Sequence, residues 1–161
     1  MRVELSEYTL DRCDEVWRVY KSDPLMTDEP FFYDAEWVKR YHRDRMGDSN
    51  RRLFAVVSDG KTVGEAQLKR LDWERRCATL SLVLAEDEYK NRGIGSEALR
   101  LLLCHAFETL RLDCIYADCT LKNTRSAHVL ENRGFVFTHT DGQFRYYELS
   151  REVWEAARSE N

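Results

Sequence analysis

Residues 78–110 read ATLSLVL, AEDEYKNRGIGS and EALRLLLCHAFETL in succession, which predicts a strand, a glycine-bearing turn and a helix. In residues 78–84, leucine alternates with threonine, serine and valine, as a half-buried strand requires. In residues 97–110, apolar side chains recur every three or four positions and form one helical stripe. Gly93 and Gly95 lie in the turn, where a missing Cβ lets backbone N–H groups approach a ligand. Because a helix N-terminus also favours negative charge, the stretch predicts an anion-binding turn.

Three phosphate-binding motifs contain a glycine-bearing turn of this kind, and the sequence distinguishes between them. A P-loop is excluded, because its GK[ST] ending is absent. Residues 93–98, GIGSEA, match the loose G-x-G-x-x-G/A pattern of a dinucleotide fold, but that fold places the turn after its first strand, whereas here several strands precede it. Residues 90–95, KNRGIG, resemble the [QR]-x-x-G-x-[GA] turn that binds the pyrophosphate of coenzyme A in the GNAT acyltransferase superfamily. Lys90 stands where that family usually has Gln or Arg.

The elements that flank the turn predict a mixed sheet. Short connections join the strands predicted over residues 53–57, 62–71 and 78–84, so these strands pair antiparallel. The helix at 96–110 is a crossover, which places the strand predicted over 113–120 parallel to the one before the turn. A first strand, two further helices and a closing hairpin are predicted at residues 3–8, 9–21, 34–46, 136–139 and 144–149.

A second segment resembles the same family. Residues 123–135, NTRSAHVLENRGF, look like the GNAT signature N-x-x-[AS]-x-x-x-[YL]-E-[KN]-x-G-F, and positions 123, 127, 130 and 134 share one helical face. The resemblance is strongest to the branch that includes ribosomal-protein N-terminal and spermidine N-acetyltransferases. The resemblance implies an α/β (α+β) fold, with one GNAT domain over residues 1–161. Its sheet is expected to be mixed and mostly antiparallel, with about six to seven strands, a splayed central parallel pair and helices on both faces.

The resemblance also implies the cofactor and its contacts. The cofactor is acetyl-CoA, whose pantetheine arm pairs with the freed backbone of the central strand while one N–H group polarises the thioester carbonyl. The glycine turn holds the pyrophosphate, and the helix after Asn123 adds side chains. The cofactor-binding residues predicted in this way are Leu82, Val83, Leu84, Lys90, Asn91, Arg92, Gly93, Ile94, Gly95, Ser96, Asn123 and Ser126.

Acetyl transfer to an amine requires a way to remove a proton. At pH 7 an alkyl amine of pKa about 10.4 is neutral in only about one molecule in a few thousand, a deficit of roughly 4.6 kcal/mol. The candidate bases are Glu65, Asp118 and His139, of which Glu65 is predicted as catalytic, although each can instead be an ordinary strand residue. Many relatives protonate the thiolate with a tyrosine where this chain has Leu130. Ser126, the nearest hydroxyl on that helix, is the second predicted catalytic residue, the alternative being a surface serine without a role.

The acceptor is predicted to be a cation. The chain has 29 Asp and Glu against 25 Lys and Arg, a net charge of -4, so it lacks the basic footprint of a nucleic-acid-binding protein. In the connector between the first two helices, Asp23, Asp28 and Glu29 are predicted to attract an amine. Phe31 is predicted to contact the hydrocarbon part of that amine. The alternative is an ordinary solvated loop whose aromatic residues pack against the core.

Two function classes remain open. The first is an N-acetyltransferase that moves acetyl from acetyl-CoA to a primary amine of a small molecule such as a polyamine, or of a protein N-terminus. The second is a catalytically weak CoA-binding regulatory module of the same fold. No apolar run approaches the ~20 residues that span a bilayer, and residues 1–7 lack a signal sequence, which predicts a cytoplasmic protein without a membrane partner. Five cysteines without a C-x-x-C pair predict no metal site, and a homodimer is one assembly left open.

Overall fold

The computed structural model describes residues 1–159, which form a seven-stranded sheet in the order β1-β2-β3-β4-β5-β7-β6. Neighbouring strands are antiparallel except β4 and β5, which are parallel, so the predicted mixed α/β fold is confirmed. The last two residues of the predicted domain, 160 and 161, lie outside the described residues. The strands are β1 (Val3–Glu7), β2 (Arg52–Ser58), β3 (Lys61–Asp72), β4 (Cys77–Leu84), β5 (Cys114–Thr120), β6 (Val136–Asp141) and β7 (Phe144–Ser150). The helices are α1 (Leu10–Val19), α2 (Ala35–Met46), α3 (Ile94–Cys104), α4 (Thr124–Asn132) and α5 (Arg151–Ser159).

The sheet separates two apolar cores. On one face, α3 packs through Leu99 and Leu102 against Leu68 of β3 and the leucines of β4. On the other face, α1 and α2 cover β2 and the first half of β3, with Trp17 at the centre of their aromatic cluster. Because successive side chains of a strand point to opposite faces, Glu65 of β3 lies under α1 and α2.

Helix α3 begins two residues earlier than predicted. Gly93 is its N-cap residue with φ +82°, a left-handed conformation that non-glycine residues rarely adopt. Its carbonyl oxygen accepts a hydrogen bond from the Glu97 N–H group at 3.0 Å, which closes the first helical turn. After Cys104 the chain continues in a π-helical turn, His105–Thr109, so the predicted helix covers two elements. Neither α3 nor any other helix within residues 1–159 is long and apolar enough to cross a membrane.

Candidate functional site

Strands β4 and β5 pair over three residues and then separate. Their parallel register runs from Cys77 opposite Cys114 to Thr79 opposite Tyr116. Beyond Thr79, β4 continues beside β3 as far as Leu84, while β5 continues beside β7. The edge of β4 that faces β5 therefore has no ladder partner over its last residues, which leaves backbone groups there to bond with a ligand or water.

A cavity of about 340 Å³ lies between the separated strands. Most of the predicted cofactor-binding residues line it: Leu82, Leu84, Lys90, Asn91, Gly93, Gly95, Ser96, Asn123 and Ser126. Val83, Arg92 and Ile94 are not among the lining residues. Ile94 is buried in the core and Arg92 is exposed to solvent. A contact from Val83 or Ile94 to a ligand in the cavity would therefore use the backbone.

The turn before α3 presents backbone donors to the cavity. Asn91 and Gly93 have φ angles of +60° and +82°, which bring the chain abruptly into the helix. The first N–H groups of α3 have no acceptor in the helix itself and carry the positive end of its dipole. A Cβ atom on Gly95 would lie 3.7 Å from a side-chain carbon of Leu84 and 3.9 Å from one of Leu82, both ordinary contacts. The turn is thus suited to an anionic group, and Gly95 can be substituted without a clash.

Helix α4 supplies the opposite wall. Asn123 caps the helix, because its Oδ1 accepts a hydrogen bond from the Ser126 N–H group at 3.0 Å. Leu130 is buried beside the cavity, so the position at which many members of the resembled family have tyrosine holds no proton donor. At the end of α4, Arg133 donates to Ser96 Oγ at 2.8 Å and ties the helix to the first turn of α3. The Ser96 hydroxyl accepts this bond, so its own O–H and its backbone N–H both remain available to donate to a phosphate.

A segment between α1 and α2 closes another side of the cavity. Asp23 and Met26 line it, and the Thr120 hydroxyl donates to the Leu25 carbonyl. Lys90 Nζ lies 3.0 Å from Asp23 Oδ2, and each of these side chains is 11% exposed. Burial acts to raise the pKa of Asp23, but the Leu25 N–H group and the Lys90 ammonium outweigh it and lower that pKa below its ordinary value. An ionised carboxylate therefore lies in the cavity beside the glycine turn.

The other connector residues that were predicted to bind the acceptor do not line the cavity. The Asp28 side chain is 83% exposed and pairs with Lys122 at 2.7 Å, and Glu29 is also exposed. Phe31 packs into the aromatic cluster between α1 and α2. Lys90 holds Asp23 at one end of the segment, and the aromatic cluster holds Phe31 at the other end. The middle of the segment, which contains Asp28 and Glu29, is therefore exposed to solvent. Of the three connector carboxylates that were predicted to attract the amine, Asp23 lines the cavity and Asp28 and Glu29 do not.

Glu65, the predicted catalytic base, is also outside the cavity lining. It is 1% exposed, because α1 and α2 pack over this part of β3. The Tyr41 hydroxyl donates to its Oε1, while its Oε2 has no hydrogen-bond partner within residues 1–159. Burial raises the pKa of Glu65, even though Tyr41, Tyr8 and Arg45 favour the ionised form. The sequence predicts a carboxylate at the reaction centre, whereas the structure contains an enclosed carboxyl group that favours its protonated form.

Replacement of Glu65 by glutamine is expected to stabilise the protein more at about pH 8 than at about pH 5. A carboxyl group whose pKa is raised by folding holds its proton more tightly in the folded chain, so stability is lost as the pH rises above the ordinary value of 4.5. The amide removes this loss and keeps an acceptor for the Tyr41 hydroxyl. Thermal unfolding should show a gain in Tm of at least ~2 °C at the higher pH and a smaller gain at the lower pH.

The exposed Asp28→Asn variant is the control for Glu65→Gln, and its Tm should differ little from the wild type at both pH values. A lower Tm at high pH for Glu65→Gln, with amine acetylation reduced by about 10² or more, would instead make Glu65 an ionised catalytic base.

Of the remaining base candidates, Asp118 lines the cavity and His139 does not. Asp118 lies on β5, with an exposed side chain. His139 stacks on Tyr146 with ring centroids 4.6 Å apart, on the outermost strand of the sheet. Lys69 of β3 also lines the cavity, although the sequence pattern did not single it out. The cavity is thus lined by two carboxylates, Asp23 and Asp118, and by the amine of Lys69 in addition to that of Lys90.

Comparison with known proteins gives a family and several relatives. The family model described as "Acetyltransferase (GNAT) domain" matches residues 2–136. Spermidine N(1)-acetyltransferase of Escherichia coli K12 is 25% identical over 108 residues, which cover 67% of this chain and 57% of that protein, less than two thirds of its length. YdaF of Bacillus subtilis 168, named as a candidate ribosomal N-acetyltransferase, is 27% identical over 136 residues, covering 76% of this chain and 69% of that protein. A mutant form of spermidine N-acetyltransferase SpeG from Vibrio cholerae superposes with a TM-score of 0.81 at 17% identity, covering 95% of this chain and 96% of that one.

Proposed function

Because the chain belongs to the GNAT acetyltransferase family, we propose that it transfers the acetyl group of acetyl-CoA directly to a primary amine. The observation that carries the proposal is that three features border one cavity: the unpaired edge of β4, the N-terminus of α3 and the Asp23 carboxylate. The first two suit an extended, phosphate-bearing cofactor, and the third suits a cation.

The residues of the cavity fit acetyl-CoA. The N–H groups of Ile94, Gly95 and Ser96 open α3 and would hold the pyrophosphate, and the missing Cβ of Gly95 leaves room beside them. The backbone of β4 from Leu82 to Leu84 would pair with the pantetheine arm. When bound, the cofactor supplies a thioester whose thiolate leaves readily, because a thiol has a pKa of about 8.5. A β4 N–H group that donates to the carbonyl oxygen would stabilise the negative charge that develops there.

The two cavity carboxylates attract the acceptor and assist its loss of a proton. Asp23 is ionised and attracts an ammonium group. Lys90, which pairs with Asp23, can turn toward a pyrophosphate at the glycine turn and so free the carboxylate. Asp118 lies on β5, across the gap that separates this strand from β4, and its side chain is exposed. It can therefore pass the proton of the amine to water. Since this route uses no buried base, the rate should rise with pH until the amine itself is neutral.

Departure of the thiolate needs little help from the protein. Leu130 has no proton to give, and Ser126 is the nearest hydroxyl on α4. A serine hydroxyl is a much weaker acid than a thiol, so Ser126 would stabilise the sulfur by donating a hydrogen bond while water supplies the proton.

We assign the acceptor to the class of amines with more than one positive charge. Asp23 and Asp118 both line the cavity, and two carboxylates match a polyamine better than the single charge of a protein N-terminus. The E. coli relative is named for spermidine, which agrees with this choice, whereas YdaF is named for ribosomal acetylation. A V. cholerae spermidine N-acetyltransferase is described as dodecameric, and by analogy we propose that this chain forms an oligomer, of which a homodimer is the smallest. The reaction would take place in the cytoplasm.

The test of the proposed function is release of free CoA thiol from acetyl-CoA in the presence of a panel of amines. Polyamines should be acetylated faster than monoamines, and faster than a peptide with a free N-terminus. Thermal shift with CoA and with NAD provides the binding control. CoA should raise the Tm, and NAD should not. Stabilisation by CoA without thiol release for any amine would identify the regulatory module instead.

Replacement of Asp23 by asparagine is expected to raise KM for a polyamine by about tenfold or more, with a smaller change in kcat. The amide keeps the acceptor that receives the Leu25 N–H group but removes the charge that attracts the ammonium group. The salt dependence of kcat/KM should weaken at the same time. Asp28→Asn is the matched control, since its exposed pair with Lys122 contributes about 0–1 kcal/mol, and its KM should stay near the wild-type value. Equal KM values for the two variants would exclude Asp23 from acceptor binding.

A further inference from the structure

Lys69 lies at the closed end of the cavity. In the register of β3 and β4 it is opposite Thr79, and Thr79 belongs to the last row in which β4 and β5 still pair. The separation of the two strands begins immediately beyond this row. Lys69 lines the cavity together with Ser81 and Leu82, which follow Thr79 on β4. Adjacent residues of a strand advance by about 3.3 Å, so Ser81 is roughly 7 Å from the closed end, within the length of an extended lysine side chain.

The amine of Lys69 is unpaired within the part of the chain that the structure describes, residues 1–159. Among the described residues it is neither hydrogen-bonded nor ion-paired, and Asp118 acts on it only through its charge. The other lysine of the cavity, Lys90, is held by both Asp23 and Asp87. Lys69 is therefore the cavity amine that can move toward a ligand without breaking a contact.

The surroundings of Lys69 favour its neutral form. Partial burial lowers the pKa of Lys69, and the positive charges of Arg70, Arg51 and Arg45 lower it further. Asp118, across the splay on β5, opposes this effect but does not reverse it. Only the neutral amine carries the lone pair that attacks a carbonyl carbon, so these charges raise the fraction of Lys69 that can react.

We propose that Lys69 is itself an acetyl acceptor, and that the protein modifies this lysine from acetyl-CoA when no amine occupies the cavity. The proposal rests on the proposed function, because it needs acetyl-CoA between β4 and β5. In the transfer, the Nζ atom forms a bond to the acetyl carbonyl carbon, the carbon–sulfur bond breaks, and CoA leaves as the thiolate. The nitrogen loses one proton to water, and the product is an uncharged amide at the closed end of the cavity.

Mass spectrometry after incubation with acetyl-CoA tests the proposal. Acetylation blocks the tryptic cut after Lys69, so the modified peptide runs from Thr62 to Arg70. Lys39 on the outer face of α2 is the internal reference for uncatalysed modification, because its side chain is 60% exposed and distant from the cavity. We expect Lys69 to be acetylated at least about 100-fold faster than Lys39. This factor is small compared with the rate advantage that proximity and orientation give to two reacting groups held side by side. The ratio should grow as the pH is lowered from about 9 to about 7.

Two further arms separate this reaction from random chemistry. In Gly95→Val, in which CoA binding should be lost, acetylation of Lys69 should fall to the level of Lys39. In the wild type, a polyamine that is itself acetylated should slow modification of Lys69, because both amines need the same space. After the same incubation, the intact Lys69→Arg variant should lack the mass increase of one acetyl group that the wild type shows.

The outcomes distinguish the inference from the proposed function. If added amines are acetylated but Lys69 is modified no faster than Lys39, the inference is wrong and the proposed function stands. If acetyl-CoA neither stabilises the fold nor releases thiol with any amine, both are wrong. Rapid modification of Lys69 that persists in Gly95→Val would show a reactive lysine outside the cofactor site, and would also overturn the inference.

Discussion

Replacement of Gly95 by valine is expected to weaken CoA binding by at least about 100-fold, or ~2.7 kcal/mol, while the chain remains folded. The second residue of α3 borders the cavity, and a Cβ there makes only ordinary contacts with Leu84 and Leu82. The protein therefore tolerates the side chain, but the branched methyl groups occupy the space beside the first N–H groups of the helix, where the pyrophosphate would bind. Isothermal titration with CoA measures the loss, and thermal unfolding shows that the fold persists.

Gly95→Ala is the matched control for this prediction. A single methyl group replaces less of the cavity, and alanine stabilises a helix by about 1 kcal/mol relative to glycine. We therefore expect a higher Tm and a loss of CoA affinity that is clearly smaller than for valine. Undiminished CoA binding in Gly95→Val would show that the phosphates do not lie at this turn, and the placement of the pyrophosphate at the N-terminus of α3 would be wrong.

Replacement of Gly64 by alanine is expected to lower the free energy of unfolding by about 3 kcal/mol. A Cβ on Gly64 would lie 2.1 Å from the Val83 carbonyl oxygen and 3.2 Å from the Leu84 Cα atom. Both are backbone atoms, so no side-chain rotation relieves the clash, and β3 and β4 must move apart. Because Leu84 lines the cavity, CoA affinity should fall together with stability. Chemical denaturation and CoA titration of the same variant measure the two effects.

Gly60→Ala separates this clash from the general cost of replacing a glycine. Gly60 has φ +83° and no atom within 4 Å of the position that a Cβ would occupy, so its replacement costs only the backbone strain of roughly 1–2 kcal/mol. Its hairpin is outside the cavity lining, and CoA affinity should stay unchanged. A loss of stability in Gly64→Ala no larger than in Gly60→Ala would mean that β3 and β4 approach less closely than the structure shows.

The elements around the cavity follow from short-range rules and were predictable from the chain alone. The apolar stripe of α3, the glycines before it and the amide cap at Asn123 each depend on residues within about one helical turn. The crossover between β4 and β5 follows from its length, which is sufficient for a parallel pair. Nine of the twelve cofactor-binding residues that the family resemblance implied line one cavity in the structure.

The choice between chemically similar side chains depended on packing between distant segments. Asp23, Asp28 and Glu29 are equivalent carboxylates in the sequence, and only the approach of Lys90 and Thr120 to the connector brings the first of them into the cavity. Glu65 has the strand position of a base, yet it is enclosed because α1 and α2 cover β3 at that point. A charged side chain costs little in water and much in a core, so its role is decided by which remote segment packs over it, and local sequence carries no record of that contact.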